Sequence, residues 1–213
     1  MADSPRRGLA EEAIYLGKLL LQFAPREPEV YGLLALMLHC EARREARHDD
    51  EGNYIPLSEQ DCARWDQRLI MEAERYLHTA SQAGGIGRFQ LMAAIQSVHA
   101  QRLWTGRIEW AAIAQLYEGL VRKYPALGAY VGRAAAVAEA FGPEHGIALL
   151  EAIPSEDVVN CQPYWALSGH LYKQMNRQED ARSAYSRAIG LSSDVPVRQF
   201  LSRKAAEIEM RQR

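Results

Sequence analysis

The residue types that could do chemistry are present in this chain but are not assembled into any known catalytic or metal-binding pattern. His39 and Cys40 are adjacent, so on a helix they point about 100° apart, and neither has a ligand partner at i+4. His99 stands at helical spacing among Ile95, Val98 and Leu103, which suits a half-buried, hydrogen-bonded imidazole better than a metal ligand. The paired carboxylates Glu11 and Glu12 fall in the first turn of a predicted helix, where the macrodipole favours negative charge. Gly84-Gly85-Ile86-Gly87 is not followed by Lys-Ser or Lys-Thr, so it reads as a helix stop and not as a phosphate loop. The acidic segment from His48 to Pro56 lacks the alternating Asp spacing and distal Glu of a calcium loop, and is expected to be a solvated turn. No Gly-x-Ser-x-Gly nucleophile elbow occurs. The expectation is a protein that is not an enzyme and holds no metal or cofactor.

One polar group has a more suggestive spacing. Asp61, Arg64, Trp65 and Arg68 stand at i, i+3, i+4 and i+7, which on a continuous helix places them on one face. Trp65 continues into Leu69, Ala73, Tyr76 and Leu77, a run that reads as a core face. The alternatives are a packed tryptophan beside an ordinary ion pair, or a polar groove that contacts a protein.

The elements that position these residues are helices. Apolar positions recur at three and four throughout, and no stretch alternates with period two. The pattern predicts helices over 9–24, 28–46, 58–82, 88–103, 108–124, 127–141, 143–153, 161–175, 178–191 and 195–211. Pro25, Pro28, Gly142-Pro143 and Pro154 supply breaks, because proline lacks the amide donor and clashes with the preceding turn. The 213 residues, 48% hydrophobic, suffice for one extended core or two small ones. A net charge of −2 gives no bulk case for binding nucleic acid or an acidic membrane surface. No apolar run is long enough to span a bilayer, and three scattered cysteines (Cys40, Cys62, Cys161) form no disulfide framework, so a reducing cytoplasm is the expected setting.

Many short helices joined by short turns prompt a search for repeats. In a frame of about 34 residues starting at Gln162, Trp165, Gly169, Tyr172, Ala181, Tyr185 and Ala188 stand at offsets 4, 8, 11, 20, 24 and 27, the signature offsets of a tetratricopeptide repeat. Small residues at 8, 20 and 27 let two helices approach, and the aromatics fill the gaps between them. The second-helix spacing recurs at Ala13/Gly17/Leu20, Ala73/Leu77/Ala80 and Ile113/Tyr117/Leu120, with Pro25 and Pro125 in the same phase. The expected fold is all-α: a right-handed antiparallel helix-pair solenoid of tetratricopeptide-like repeats over 9–213, clearest at 162–195. Residues 1–8 are expected to form a loose leader. The last predicted helix, with Arg198, Arg203, Lys204, Arg211 and Arg213, is expected to cap the array; it lacks the interleaved aromatics of a nucleic-acid face.

Several segments also resemble, in order, a known family. Leu9-Ala-Glu-Glu-Ala-Ile-Tyr-Leu-Gly-Lys-Leu, Glu27-Pro-Glu-Val-Tyr-Gly-Leu-Leu-Ala-Leu-Met-Leu and Gln60-Asp-Cys-Ala-Arg-Trp-Asp are similar to the C-terminal extension of one group of bacterial extracytoplasmic-function sigma factors. Phe89-Gln-Leu-Met-Ala-Ala-Ile-Gln-Ser-Val-His-Ala, Trp110-Ala-Ala-Ile-Ala-Gln-Leu-Tyr and Gly142-Pro-Glu-His-Gly continue the resemblance. It implies tetratricopeptide-like helices that modulate transcription initiation by contacting sigma-factor core domains or RNA polymerase, without touching DNA or membrane. Asp61, Arg64, Trp65, Asp66, Arg68, Gln90 and His99 are the candidate protein-contacting residues; the resemblance favours a protein-contacting polar groove without assigning individual atoms. Two departures stand out. The promoter-reading domains of such a factor would precede Leu9, so the chain is expected to be an excised domain or a stand-alone relative. Gly132-Arg-Ala-Ala-Ala also replaces the family's Asn-Arg-Ala step. The alternative function is a free-standing tetratricopeptide scaffold; a third is an enzyme or a small-molecule sensor.

Overall fold

The computed structural model describes residues 4–210, with side chains from 8 to 208. Residues 1–3 of the expected leader, and the terminal Arg211 and Arg213, lie outside the described residues. Among the described residues twelve α-helices follow one another: α1 (Ser4–Phe23), α2 (Pro28–Ala42), α3 (Gln67–Gln82), α4 (Arg88–Ala100), α5 (Arg102–Thr105), α6 (Trp110–Lys123), α7 (Leu127–Phe141), α8 (Pro143–Glu151), α9 (Ser155–Val158), α10 (Gln162–Gln174), α11 (Gln178–Leu191) and α12 (Val195–Met210). Three 3-10 turns, Arg44–Ala46, Leu57–Glu59 and Cys62–Arg64, lie between α2 and α3. Among the described residues there is no strand, only one antiparallel bridge between His48 and Tyr54.

The helix ends have local causes. Pro28 opens α2, where its missing donor costs nothing, and the Glu27 carboxylate accepts the Glu29 amide. Gly84 and Gly85 follow α3 with φ of +76° and +79°, in the left-handed region that side chains with a Cβ avoid. Pro143 opens α8 directly after Gly142.

The third helix departs from the predicted 58–82. It starts at Gln67, and residues 57–66 form two 3-10 turns. The reason is two aspartates. Asp61 accepts the Ala63 amide and opens one short turn; Asp66 accepts the amides of Arg68 and Leu69 and opens α3. A side chain that takes up the next amides offers the backbone an alternative to continuing a helix. α2 also stops at Ala42, four residues earlier than predicted, and α4 at Ala100.

The single domain expected over 9–213 divides into two compact units, Met1–Arg47 with Leu57–Glu109, and His48–Pro56 with Trp110–Arg213. In the first, α2 is central and packs on α1, α3 and α4. Ala35, Leu38, Ala73 and Ala93 are buried at that junction, the alanines allowing close approach. α1 turns Ile14 and Gly17 toward α2; a Cβ at Gly17 would lie 2.8 Å from the Leu34 side chain. Its other face leaves Leu9, Tyr15, Leu16, Leu20 and Phe23 exposed, the last at 79%.

In the second unit consecutive helices pack pairwise: α6 on α7, α7 on α8, α8 on α10, α10 on α11 and α11 on α12. Glycines mark the tightest approaches. A Cβ at Gly146 would lie 2.5 Å from the Ala138 Cβ and 2.8 Å from the Ala134 carbonyl oxygen, and one at Gly169 would lie 2.9 Å from the Tyr185 ring. Ala181, Tyr185 and Ala188 are buried with Leu201 and Ile208 of α12, and Trp165 and Tyr172 pack against them. Segment 48–56 is not a free turn. The Asp49 carboxylate accepts the Asn53 side-chain amide and the backbone amides of Glu51 and Asn53, and the first of these bonds holds its pKa below the usual carboxylate value. Arg203 of α12 donates to Asn53 Oδ1 at 2.8 Å, and the Phe200 ring meets Tyr54 edge-on at 5.5 Å. No helix among the described residues is long and apolar enough to cross a membrane.

Candidate functional site

The candidate residues of the first unit divide into an exposed loop and the buried cluster beneath it. Arg102, at the start of α5, organises both. Its Nη1 donates to the carbonyls of Leu57 (3.1 Å) and Ser58 (2.8 Å), its Nη2 to that of Gln60, and its Nε to Cys62 Sγ at 2.9 Å. The guanidinium also lies 5.1 Å from the centroid of the Trp65 ring. A planar cation with fixed donors suits a loop whose carbonyls have no helix to bond them. The loop is thereby tied down over residues 57–65.

Trp65 is 4% exposed, packed with Ala42, Ala46, Ile70 and Ala100, and its Nε1 has no hydrogen-bond partner. The expected protein contact through its side chain is therefore corrected: Trp65 anchors the loop from within. Its helical-face relationship to Asp61, Arg64 and Arg68 is corrected too, because α3 begins only at Gln67. Asp61, Arg64 and Arg68 are exposed and Asp66 is half-buried. Both aspartates spend an oxygen on helix capping, and Arg68 Nε lies 3.9 Å from Asp66 Oδ1. What the loop presents outward is a rigid, mixed-charge rim.

Under the loop, Arg43 is buried, donates through Nη2 to Gln96 Oε1, and leaves Nη1 without a partner. Burial above all pushes its guanidinium below the ordinary arginine value. His99, at the last turn of α4, is buried beside the two arginines. Its pKa falls to about 4, first because burial disfavours the charged ring and then because Arg43 and Arg102 repel it. At neutral pH it is an uncharged imidazole among cations. The expectation that it contacts a partner directly is corrected by its burial.

Gln90 does not join this group. It sits in the first turn of α4, nine residues and roughly 13 Å along the helix from His99. There the Glu29 carboxylate of α2 accepts the amides of Phe89 (2.8 Å) and Gln90 (3.0 Å), capping α4 from a neighbouring helix. The Gln90 side chain is buried, so it too cannot be a surface contact in this unit.

His39 is buried on α2 with Nε2 3.3 Å from Glu74 Oε1. Burial raises the Glu74 pKa, but the neighbouring His39 and Ser97 side chains outweigh it and hold the carboxylate below its ordinary value. Among the described residues no group of three or more His, Cys, Asp or Glu side chains is placed to hold a metal ion. The three cysteines are free thiols.

Sequence reasoning missed Arg102. Nothing in Ala100-Gln-Arg-Leu-Trp distinguishes an arginine that binds carbonyls some 40 residues away from one facing solvent. The partial signal was the pair of aspartates that interrupts the predicted third helix.

Residues 1–81 match the model of a family of unknown function, DUF6596. The chain is also similar to an uncharacterized protein of Rhizobium meliloti (strain 1021), 36% identical over 203 residues, covering 93% of this chain and 48% of that protein. The chain thus spans about half the length of this curated relative. No solved structure matches it.

Proposed function

We propose that this chain is a regulatory protein-interaction region of a bacterial extracytoplasmic-function sigma factor, acting in the cytoplasm on transcription initiation without reading DNA itself. The observation that carries the reading is the outer face of α1. Leu9, Leu16, Leu20 and Phe23 recur at the three- and four-residue steps of one helical face and are all exposed, with Tyr15 beside them. A contiguous apolar face of this kind marks a protein contact, since water gains from its burial. The ordered resemblance from Leu9 onward favours the transcription machinery as the partner, and the greater length of the Rhizobium relative is compatible with further domains in that protein. The exposed Asp61, Arg64 and Arg68, with Asp66 between them, give the first unit a charged rim that would set orientation on such a partner.

In the same proposal, the pairwise helices of the second unit form a right-handed tetratricopeptide-like solenoid capped by α12. The Gly169–Tyr185 contact within 162–191 favours it. That contact equally suits the second reading, a tetratricopeptide scaffold with no tie to polymerase.

The immobilised 213-residue chain is expected to retain either sigma-type promoter-binding domains or core RNA polymerase from purified mixtures. Leu16→Glu with Leu20→Glu should reduce that retention about tenfold while leaving the helical circular dichroism unchanged. If neither component is retained by the unmodified chain, the sigma-factor reading fails and the scaffold reading stands.

A further inference from the structure

The second unit contains a cavity of about 540 Å³ where α7 begins and the turn after α8 passes over it. That volume lies within the range of small-molecule sites. Leu127, Tyr130, Leu149 and Ile153 contribute apolar wall, and Arg133 and Asp157 are its charged lining residues.

Arg133 is the unusual member. Its side chain is only 20% exposed, yet its hydrogen bonding is nearly unused. Nη1 donates to Glu118 Oε2 at 3.1 Å, while Nε is buried with no partner. Glu118 is half in solvent, so this single bond is screened and does not satisfy the fork. The guanidinium carbon lies 5.8 Å from the centroid of the Tyr130 ring, so an aromatic surface and a donor-rich cation share the wall. A planar guanidinium with spare donors fits a carboxylate, which can accept two parallel bonds. Asp157 acts the other way: a second negative charge in the ligand would meet like charge. Apolar walls argue equally against polyphosphates, whose desolvation nothing here would offset. An extended peptide would also need partners for its backbone amides and carbonyls, and this lining offers few polar side chains.

We propose that this cavity binds a small monocarboxylic acid with an apolar, ring-bearing body. The carboxylate sits on Arg133, and the body lies against Tyr130, Leu127, Leu149 and Ile153. The site belongs wholly to the second unit and is independent of the α1 face, so the proposed function and this binding site can fail separately.

Isothermal titration of the full chain with phenylacetate, 4-phenylbutyrate and indole-3-acetate tests this. At least one acid is expected to bind saturably at a single site. Its primary amide should bind about tenfold more weakly, because the charged fork loses its partner. Ala152→Trp, at an exposed lining position, should fill the cavity and abolish binding. Arg133→Gln should weaken the acid about tenfold and leave the amide nearly unchanged. Should Arg133→Gln fail to fold, Asp157→Asn serves instead, with phenylsuccinate gaining roughly fivefold as the repulsion is removed. Absence of saturable binding by all three acids overturns the proposal. So does equal affinity for acid and amide, or acid binding that survives Ala152→Trp. Saturable binding of acetyl-Leu-Phe-Glu-amide with none of the three acids would replace it with a peptide site.

Discussion

His99 is where a single side chain has the most to say about conditions. Its folded pKa near 4 lies below the ordinary 6.5, so the unfolded chain binds its proton first as pH falls. Its contribution to stability is therefore present above about pH 6.5 and is lost progressively as pH falls toward about 4. The size is on the order of 3 kcal/mol. Urea denaturation at pH 7 and pH 4.5 should show His99→Gln losing less stability over this interval than the parent chain; parallel losses would mean that another group titrates. The burial of His99 could be anticipated from Ile95, Val98 and Leu103, which place it mid-helix among apolar neighbours. Of its cationic neighbours, Arg102 is only three residues further along the chain, whereas Arg43 closes α2 and comes near His99 only through packing. The same holds for Trp65. Its apolar continuation through Leu69 and Ala73 announced a core position, while its backbone conformation depended on Asp61 and Asp66 choosing to cap.

Among the helices, glycine substitutions separate close packing from open surface. A Cβ at Gly146 would strike the Ala138 methyl and the Ala134 carbonyl, and backbone cannot step aside as a flexible side chain can. Gly146→Ala should cost on the order of 1–3 kcal/mol through overpacking of α7 on α8. A Cβ at Gly128, in α7, would meet nothing within 4 Å, so Gly128→Ala should stabilise by about 0.5–1 kcal/mol by restraining the unfolded chain. Thermal unfolding of both variants decides the matter: two shifts of the same sign would contradict this geometry. The helical character and most helix ends were legible, since Pro28, Gly84 and Pro143 act through local sterics that any context preserves. The stretch 57–66 was not, because a helical spacing of apolar residues does not reveal capping. Nor did spacing reveal that α4 receives its cap from Glu29, a residue some 60 positions away.

Across the whole molecule, the division into two units turns on segment 48–56, which is inserted in the first unit's sequence but packs in the second. Tyr54 and Phe200 are far apart in sequence and in edge-on contact. A double-mutant cycle with Tyr54→Ala and Phe200→Ala should give a coupling of about 0.5–1.5 kcal/mol. Strict additivity would mean that the segment is held by its own Asp49 turn alone. Neither unit could be delimited from composition, since the acidic, glycine-containing segment reads as a solvent turn until its partner helix is known. The Asn53–Arg203 bond closes over 150 positions of chain. On a ribosome adding about 5–20 residues per second, Tyr54 emerges roughly 8–30 s before the helix that shelters it. During that wait the segment stays unseated, and it settles only once α12 has been made.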